Sequence, residues 1–216
     1  LVGRDLDYLN LVSSDRIRQE LALVMSEPTV VSALLQARDF DVLTTIHPAL
    51  NVNPRVFEAL NLKTTLFPDL RILALLLYEA SDADRLDVIK HLNMDAEWAR
   101  VVVEVGSVKS ACKKMTREDI KPSSIHGLLR KYSLTVIQAC SIVMEDSIVL
   151  GHLRRYLDDF SHVEPILTGD DLLNIGFTQG PIVGEILQKL LDERLDGVVS
   201  SEEDERRLAD QLLQTY

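Results

Sequence analysis

Apolar residues recur along this chain at intervals of three and four positions, the spacing that places them on one face of an α-helix. One such stripe comprises Ile17, Leu21 and Val24. The strict alternation of apolar and polar residues that is typical of a strand hardly occurs. The β-branched run at 101–103 lies between Ala99 and Glu104, and these neighbours favour a helix there. The pattern therefore predicts an all-α fold.

Residues that favour the starts and ends of helices separate these stripes. A capping box pairs a side chain with a backbone N–H at each end of the first turn. Its spacing is found at Ser81/Asp84, Thr168/Asp171 and Ser200/Glu203. Further helix starts are predicted at Ser13 or Ser14, Pro28, Pro54, Pro68, Asp95, Ser133 and Pro181, and breaks at Pro48 and Pro122.

The composition changes between His162 and Pro165, and we place the main boundary there. Residues 1–50 then lead into a multi-helix body at 51–161, which is followed by a small helical tail at 162–216. The tail has a helix-hairpin-helix-like turn between two of its helices.

The charge is distributed unevenly. The 216 residues carry 23 Lys and Arg against 34 Asp and Glu, a net charge of −11. The segment from Lys109 to Lys131, however, contains seven basic residues and two acidic ones. It therefore carries a charge of +5, and the rest of the chain carries −16. Two interpretations stay open. The segment is a stripe that faces a polyanion, with Lys113, Lys114, Arg130 and Lys131 as candidate phosphate contacts, or it is a solvated helix face.

The sequence contains none of the common catalytic motifs. It has no GxxxxGK[ST], GxGxxG, GxSxG or HExxH, and its five histidines are not paired at the spacing of metal ligands. The pairs Asp5/Asp7, Asp39/Asp41 and Asp82/Asp84 lie in or beside predicted helices, where side chains two positions apart diverge. We interpret them as capping and solvated acids, and we assign no catalytic residue, no metal site and no cofactor to this chain.

One turn has a pattern that suits phosphate binding. Gly176 follows a helical stripe as a residue with positive φ would, and Gly180-Pro181 opens the next helix. Free N–H groups at a helix N-terminus point at an anion and the helix dipole favours it. The candidate RNA contacts are therefore Gly176, Thr178 and Gly180, with Lys189 on the following helix. The alternative is a tight helical hairpin whose glycines only allow close packing.

Localisation is predicted from two features. Cys112 and Cys140 are far apart in the sequence, and we interpret them as buried thiols in a reducing compartment. The longest apolar run, from Ile72 to Tyr78, is too short to cross a bilayer. We expect a cytoplasmic protein that does not contact membranes.

Several segments resemble one enzyme family. LTGDDLL at 167–173, GPIVGEIL at 180–187 and Leu195-Asp196-Gly197 resemble the tail of bacterial class II tRNA nucleotidyltransferases and poly(A) polymerases, which include the CCA-adding and A-adding enzymes. SDRIRQEL at 14–21, Glu27-Pro28 and Ile46-His47-Pro48 resemble the segment that follows the nucleotide-recognising neck of this family. Nothing in the chain matches the catalytic head, with its mixed sheet, Gly-Gly stretch and metal-binding carboxylates.

The resemblance implies a C-terminal region: the end of the neck and start of the body at 1–50, the body at 51–161, and a tail at 162–216 that binds the tRNA elbow. It implies tRNA or another RNA as partner and a catalytic head in cis. Such a region has no activity of its own, whereas the parent enzyme would use Mg²⁺ and ATP or another NTP. Two other hypotheses for the function stay open. The chain is a helical protein–protein adaptor without nucleic-acid binding, or it is an enzyme with an unrecognised site.

Overall fold

The computed structural model describes residues 6–50, 56 and 69–215. Within these ranges the chain forms helices and no strand, which confirms the all-α prediction. The predicted helix start at Pro54, with Leu60 and Leu62, and the predicted start at Pro68 lie outside the described residues, as does Asp5.

The helices are α1 Ser14–Ser26, α2 Val30–Asp39, α3 Val42–Ile46, α4 Asp69–Leu76, α5 Asp82–His91, α6 Ala96–Cys112, α7 Pro122–Leu129, α8 Leu134–Val143, α9 Ser147–Arg155, α10 Gly169–Ile175, α11 Pro181–Leu195 and α12 Glu202–Leu213. A 3₁₀ helix at Leu6–Leu11 precedes α1, and a π-helical turn at Tyr156–Phe160 continues α9.

Most predicted helix starts are confirmed. Capping boxes form at Ser81/Asp84 and Thr168/Asp171, and Ser13, Asp95 and Ser133 cap α1, α6 and α8.

Two predicted starts are wrong. α12 is capped by Ser201 with Asp204 rather than Ser200 with Glu203, because the Asp204 carboxylate accepts the backbone N–H groups of both serines. Pro28 lies in the turn between α1 and α2, and α2 begins at Val30 with Thr29 as its N-cap.

Packing divides the chain into two compact units. Unit 1 comprises the described residues up to 116 together with 132–153, and unit 2 comprises 117–131 and 154–215. The predicted division at 1–50, 51–161 and 162–216 stays a prediction. The packing units do not follow its boundaries, because 117–131 packs with the C-terminal helices.

Unit 1 is organised around α4, which packs against α8, α6 and α1. Every residue from Ile72 to Leu77 is at most 2% exposed. Burying a Leu or Ile side chain fully stabilises the fold by roughly 1.5–3 kcal/mol, so this run supplies much of the core of the unit. Cys112 and Cys140 are free and buried, as predicted, and burial raises the pKa of Cys112 to about 11. No helix in the described ranges is long and apolar enough to cross a membrane.

The turn that follows α4 has carbonyl groups that need hydrogen-bond donors. Arg85, which is only 5% exposed, donates to the carbonyls of Leu77 (3.2 Å) and Ala80 (2.5 Å). Lys109 donates to the carbonyl of Tyr78 at 2.6 Å, and its ammonium lies 4.2 Å from the centre of the Tyr78 ring. Two basic side chains from α5 and α6 therefore bind the carbonyl groups of the turn that follows α4.

Unit 2 has its own core, made by α10, α11 and α12. It comprises Leu167, Leu172, Phe177, Ile186, Leu190 and Ala209. Beside this core is Glu205, which is completely buried and accepts the backbone N–H groups of Ile166 (2.8 Å) and Leu167 (2.9 Å). Arg194 donates to the same carboxylate at 2.9 Å. A buried charge is tolerated when it is paired and fully hydrogen-bonded, so Glu205 fixes the chain just before α10.

Gly106 in α6 lies against the side chains of Arg85 and Asp82, so we expect that a side chain at this position would destabilise the fold. A Cβ at Gly106 would lie 2.6 Å from Arg85 Nη2 and closer still to the Asp82 carboxylate. We expect Gly106→Ala to lower the free energy of unfolding by about 1–3 kcal/mol, although alanine favours helix. Urea unfolding measures this change. Gly151→Ala in α9, where a Cβ would meet nothing within 4 Å, is the matched control and should not destabilise. Equal stabilities for the two variants would contradict the expectation.

Candidate nucleic-acid interface

The eight predicted contact residues do not form one group. Lys113 and Lys114 follow α6 and belong to unit 1. The other six belong to unit 2 and are Arg130, Lys131, Gly176, Thr178, Gly180 and Lys189.

Three of the seven basic residues of the 109–131 segment are engaged inside the chain. Lys109 binds the turn that follows α4. Arg117 pairs with Asp119 at 2.7 Å, and Lys121 pairs with Asp196 at 3.4 Å. Two of these contacts, those of Lys109 with Glu79 and of Lys121 with Asp196, are made to acids outside the segment and offset part of its surplus of +5.

α7 packs along α11. The Asp196 carboxylate, at the end of α11, accepts the backbone N–H of Ser123 at 2.9 Å and its hydroxyl at 3.0 Å, and so caps the N-terminus of α7. At the other end of α7, the Arg130 guanidinium donates to the Gln188 side-chain oxygen. The two helices therefore run antiparallel, and the carboxyl end of α7 is directed toward the N-terminal half of α11.

This packing places Arg130 beside the middle of α11. Gln188 is seven residues beyond Pro181, a rise of about 10 Å along the helix. Gln188 and Gly184 are four residues apart and share a face. The same corner holds the buried His126, whose pKa is lowered by burial and by the neighbouring charge of Arg130.

The turn from α10 to α11 is glycine-dependent at both ends. Gly176 has φ +124°, as predicted for the residue that ends α10, and its N–H donates to the carbonyls of Leu172 and Leu173. Gly180 is the N-cap of α11 with φ +157°, a backbone conformation that residues with a side chain rarely adopt. No side chain caps α11, and Thr178 is exposed between the two glycines.

Gly180 and Gly184 are not explained by packing within the described part of the chain. A Cβ at either position would meet nothing within 4 Å, and both residues are exposed. At Gly176 an added Cβ would meet Leu213 at 3.3 Å. The positive φ, with Leu213 close by, therefore accounts for the first glycine of the turn, and the surface at the start of α11 is open to an external group.

The rest of α11 is less suited to a polyanion. Lys189 pairs with Glu193 at 2.6 Å, which raises the pKa of Lys189, and Arg194 is held by the buried Glu205. Asp192 and Asp196 add negative charge toward the carboxyl end. Any contact with phosphate is therefore favoured at the N-terminal end of the helix and disfavoured at the other.

Sequence reasoning missed the three residues that build this arrangement, namely Gln188, Asp196 and Glu205. Each is a polar residue in a helix or at its end, and each has a partner 38 to 73 positions away. Glu205 carried one usable signal, since it falls in register with the apolar Ala209 and Leu212 of its helix. No group of three metal-ligating side chains occurs in the described part of the chain.

The comparisons with known proteins agree with the resemblance noted in the sequence. The chain is 28% identical over 225 aligned positions to the A-adding tRNA nucleotidyltransferase of Geobacter sulfurreducens, a match that covers 94% of this chain and 25% of the relative. The chain is related to the tRNA nucleotidyltransferases. No family model matches it.

The fold is also that of solved nucleotidyltransferases. The Thermotoga maritima CCA-adding enzyme complexed with tRNA matches with a TM-score of 0.74 and 20% identity, over 98% of this chain and 55% of that one. A CCA-adding enzyme in complex with ATP matches with a TM-score of 0.72 and 21% identity, over 99% and 54%. The chain thus spans about a quarter of the curated nucleotidyltransferase and about half of the solved ones.

The contact between α7 and α11 should depend on pH. Burial raises the pKa of Asp196, but the hydrogen bonds from Ser123 and Lys121 outweigh it and hold the pKa below its usual range. Since the folded pKa is the lower one, the carboxylate stabilises the fold at neutral pH and this stabilisation is lost as the pH falls below about 4. We expect Asp196→Asn to destabilise the chain at pH 7 and the difference from the parent to shrink at acid pH.

Urea unfolding at a series of pH values measures this difference. Asp210→Asn, which changes an exposed carboxylate of α12, is the control and should show a small difference at every pH. A difference for Asp196→Asn that stays constant from pH 7 to pH 3 would exclude the ionic cap.

Proposed function

We propose that this chain is the RNA-binding helical region of a tRNA 3′-end nucleotidyltransferase, and that it positions tRNA for nucleotide addition by a catalytic part that the chain does not contain. The observation that carries this proposal is the sequence similarity to an A-adding enzyme over 94% of the chain. The Thermotoga maritima enzyme with this fold is complexed with tRNA, which supports RNA as the partner. Mg²⁺ and ATP or another NTP would serve the catalytic part, in the cytoplasm.

The surface at the start of α11 supports a contact with the RNA backbone. The first N–H groups of a helix have no partner within it, and the helix dipole adds positive potential there. Gly180 and Gly184 add no side chain to this end, and the space beside each is open, so a phosphate could approach the backbone there. Arg130, held by Gln188 about 10 Å further along the helix, adds a full positive charge beside the middle of α11.

This arrangement recognises backbone rather than sequence. Phosphate contacts fix the position of a nucleic acid but carry no information about its bases. The acidic second half of α11 repels phosphate, so the RNA would be held at one end of the helix instead of along it. Such a contact suits a region that sets the distance between a fixed part of the tRNA and its 3′ end.

The main test is salt-dependent binding of the chain to tRNA that lacks its 3′ end. We expect Arg130→Ala to weaken binding about three- to tenfold and to lower the slope of log affinity against log salt by about 1, because one phosphate contact is lost. Arg207→Ala removes an exposed arginine that pairs with acids on α12 and is the control. If the parent chain shows no salt-dependent binding, the proposal is wrong and the adaptor interpretation is favoured.

A glycine substitution separates stability from RNA binding. Gly180→Val cannot do so, because φ +157° strains any residue with a side chain. Gly184→Ala can, since it lies within α11 and an added Cβ has open space. We expect Gly184→Ala to stabilise the fold by about 0.5–1 kcal/mol while it weakens tRNA binding, because the methyl group keeps a phosphate away from the helix end.

The control for this variant is Gly127→Ala in α7, which is also helical, exposed and open. It should raise the melting temperature without a change in tRNA affinity. Equal affinities for Gly184→Ala and the parent would show that the phosphate is not held at this helix end.

A further inference from the structure

We propose that α7 is an acid-sensitive element of unit 2, which detaches from α11 and from the turn at Tyr156–Phe160 when the buried ring of His126 gains a proton. The change needs no RNA and therefore does not rest on the proposed function. Arg130 belongs to the segment that would move, so the surface around it would change with pH.

His126 occupies a core position of α7. Three side chains of this helix are buried, and two of them, Ile125 and Leu129, are apolar. The third is His126, which is 6% exposed. The centre of its ring lies 6.0 Å from the centre of the Tyr156 ring in the π-helical turn. A titratable group thus takes a position in the packing of α7 that an apolar residue would ordinarily fill.

The surroundings of the ring suit its neutral form. The Nδ1 atom of His126 is buried and has no hydrogen-bond partner among the described residues. In a neutral imidazole this nitrogen can be the one without a proton, whereas in the imidazolium both nitrogens are donors. Protonation would therefore bury a charged N–H group that has no acceptor. Because an unpaired buried charge costs far more than an unpaired neutral atom, the packed helix opposes protonation.

The charges that face the ring reinforce this preference. Burial and the positive charge of Arg130 on α7 lower the pKa of His126 from its ordinary value of 6.5. On α11, the Asp192 carboxylate acts in the opposite direction, but it accepts the side-chain amide of Gln188 at 2.8 Å and its effect is the smallest of the three. In the turn, burial raises the pKa of the Tyr156 hydroxyl, which keeps it neutral.

The remaining charged residues of α11 and of the turn are engaged elsewhere or are exposed. Two ion pairs account for three of them, and the others lie at the surface. They are Glu185, Lys189, Glu193, Arg194, Asp158 and Asp159. The net effect on His126 is thus set by burial, Arg130 and Asp192.

The lowered pKa fixes the direction of the pH dependence. Below about pH 6.5 the histidine of a detached α7 binds a proton, whereas the packed ring binds one only at a lower pH. The state that binds more protons is favoured as the pH falls, so detachment becomes easier by up to about tenfold for each pH unit between the two values. The contribution of Asp196 is lost only below about pH 4, which is a separate range.

α7 can detach alone because few contacts hold it. It has eight residues and belongs to the segment 117–131, which 132–153 separates from the rest of unit 2 in the sequence. Its side-chain hydrogen bonds with α11 lie at its two ends, at Ser123 and Arg130. The core of α10, α11 and α12 lies within residues 167–209. Short elements with few buried contacts open before the rest of a fold, so these three helices keep their core when α7 is released.

Amide hydrogen exchange of the whole chain at pH 7 and pH 5.5, corrected for the intrinsic effect of pH on exchange, measures the detachment. We expect the protection of residues 122–130 to fall about five- to tenfold, and that of α10, α11 and α12 to change less than about twofold. His126→Phe keeps an apolar ring beside Tyr156 but cannot titrate, and should remove the fall. His162→Gln, at an exposed histidine of the same unit, is the matched control and should keep it.

A second measurement needs no variant. Nuclear magnetic resonance of the histidine rings in the parent should show His126, identified by its contact with the Tyr156 ring, neutral at pH 6 in the packed form. Equal protection of α7 at both pH values, or a fall that His126→Phe retains, would overturn the proposal. An equal fall in every helix of unit 2 would also overturn it, because the whole unit would then open. If the packed ring already carries a charge at pH 7, the proposal is wrong even where His126→Phe does not fold.

Discussion

Backbone polar groups beside the ends of packed helices must find hydrogen-bond partners, and this constraint acts in both units. Where the apolar run of α4 ends, Arg85 and Lys109 satisfy the carbonyls of Leu77 and Tyr78. In unit 2 the buried Glu205 satisfies the N–H groups of Ile166 and Leu167 in the same way. In each case a charged side chain from another helix supplies the partner, and the requirement for it fixes how those helices pack. An uncompensated buried polar group costs several kcal/mol, so these contacts leave little freedom.

The same requirement decides which charges stay available for binding. Lys109 and Arg194 look like surface cations in the sequence, but each is committed to a buried partner. Asp196 is committed as the cap of α7, and Glu104 as the partner of Ser133. The cations left outside these contacts include Lys113 and Lys114, and Arg130 donates to the neutral Gln188. The charges available at the surface are therefore those that the hydrogen bonds of the interior do not use.

Local signals in the sequence are enough for much of the fold and for part of the candidate site. The caps at Ser81 and Thr168 could be predicted because a capping box involves residues only three positions apart. The end of α10 at Gly176 could be predicted for the same reason, since it depends only on the neighbouring backbone. The choice of Ser200 over Ser201 is wrong because both serines precede an acid at the same spacing, Glu203 and Asp204, and the spacing alone does not distinguish them. Glu205, Gln188 and Asp196 could not be assigned from the sequence, since their roles depend on partners that only tertiary packing brings near.

The packing of α7 with α11 has a consequence for how the chain is made. Residues 117–131 are synthesised well before their neighbours at 154–215, with α8 and most of α9 between them. Until the ribosome has released α11, α7 lacks the helix that it packs along, and no Asp196 is present to cap it. Unit 2 is thus discontinuous in sequence, and a chain truncated after residue 161 would keep the contact of α7 with the turn at Tyr156–Phe160 but lose its contact with α11. The C-terminal helices are for this reason part of the folding requirement of the middle of the chain, and a deletion meant to remove only the tail would disturb more than the tail.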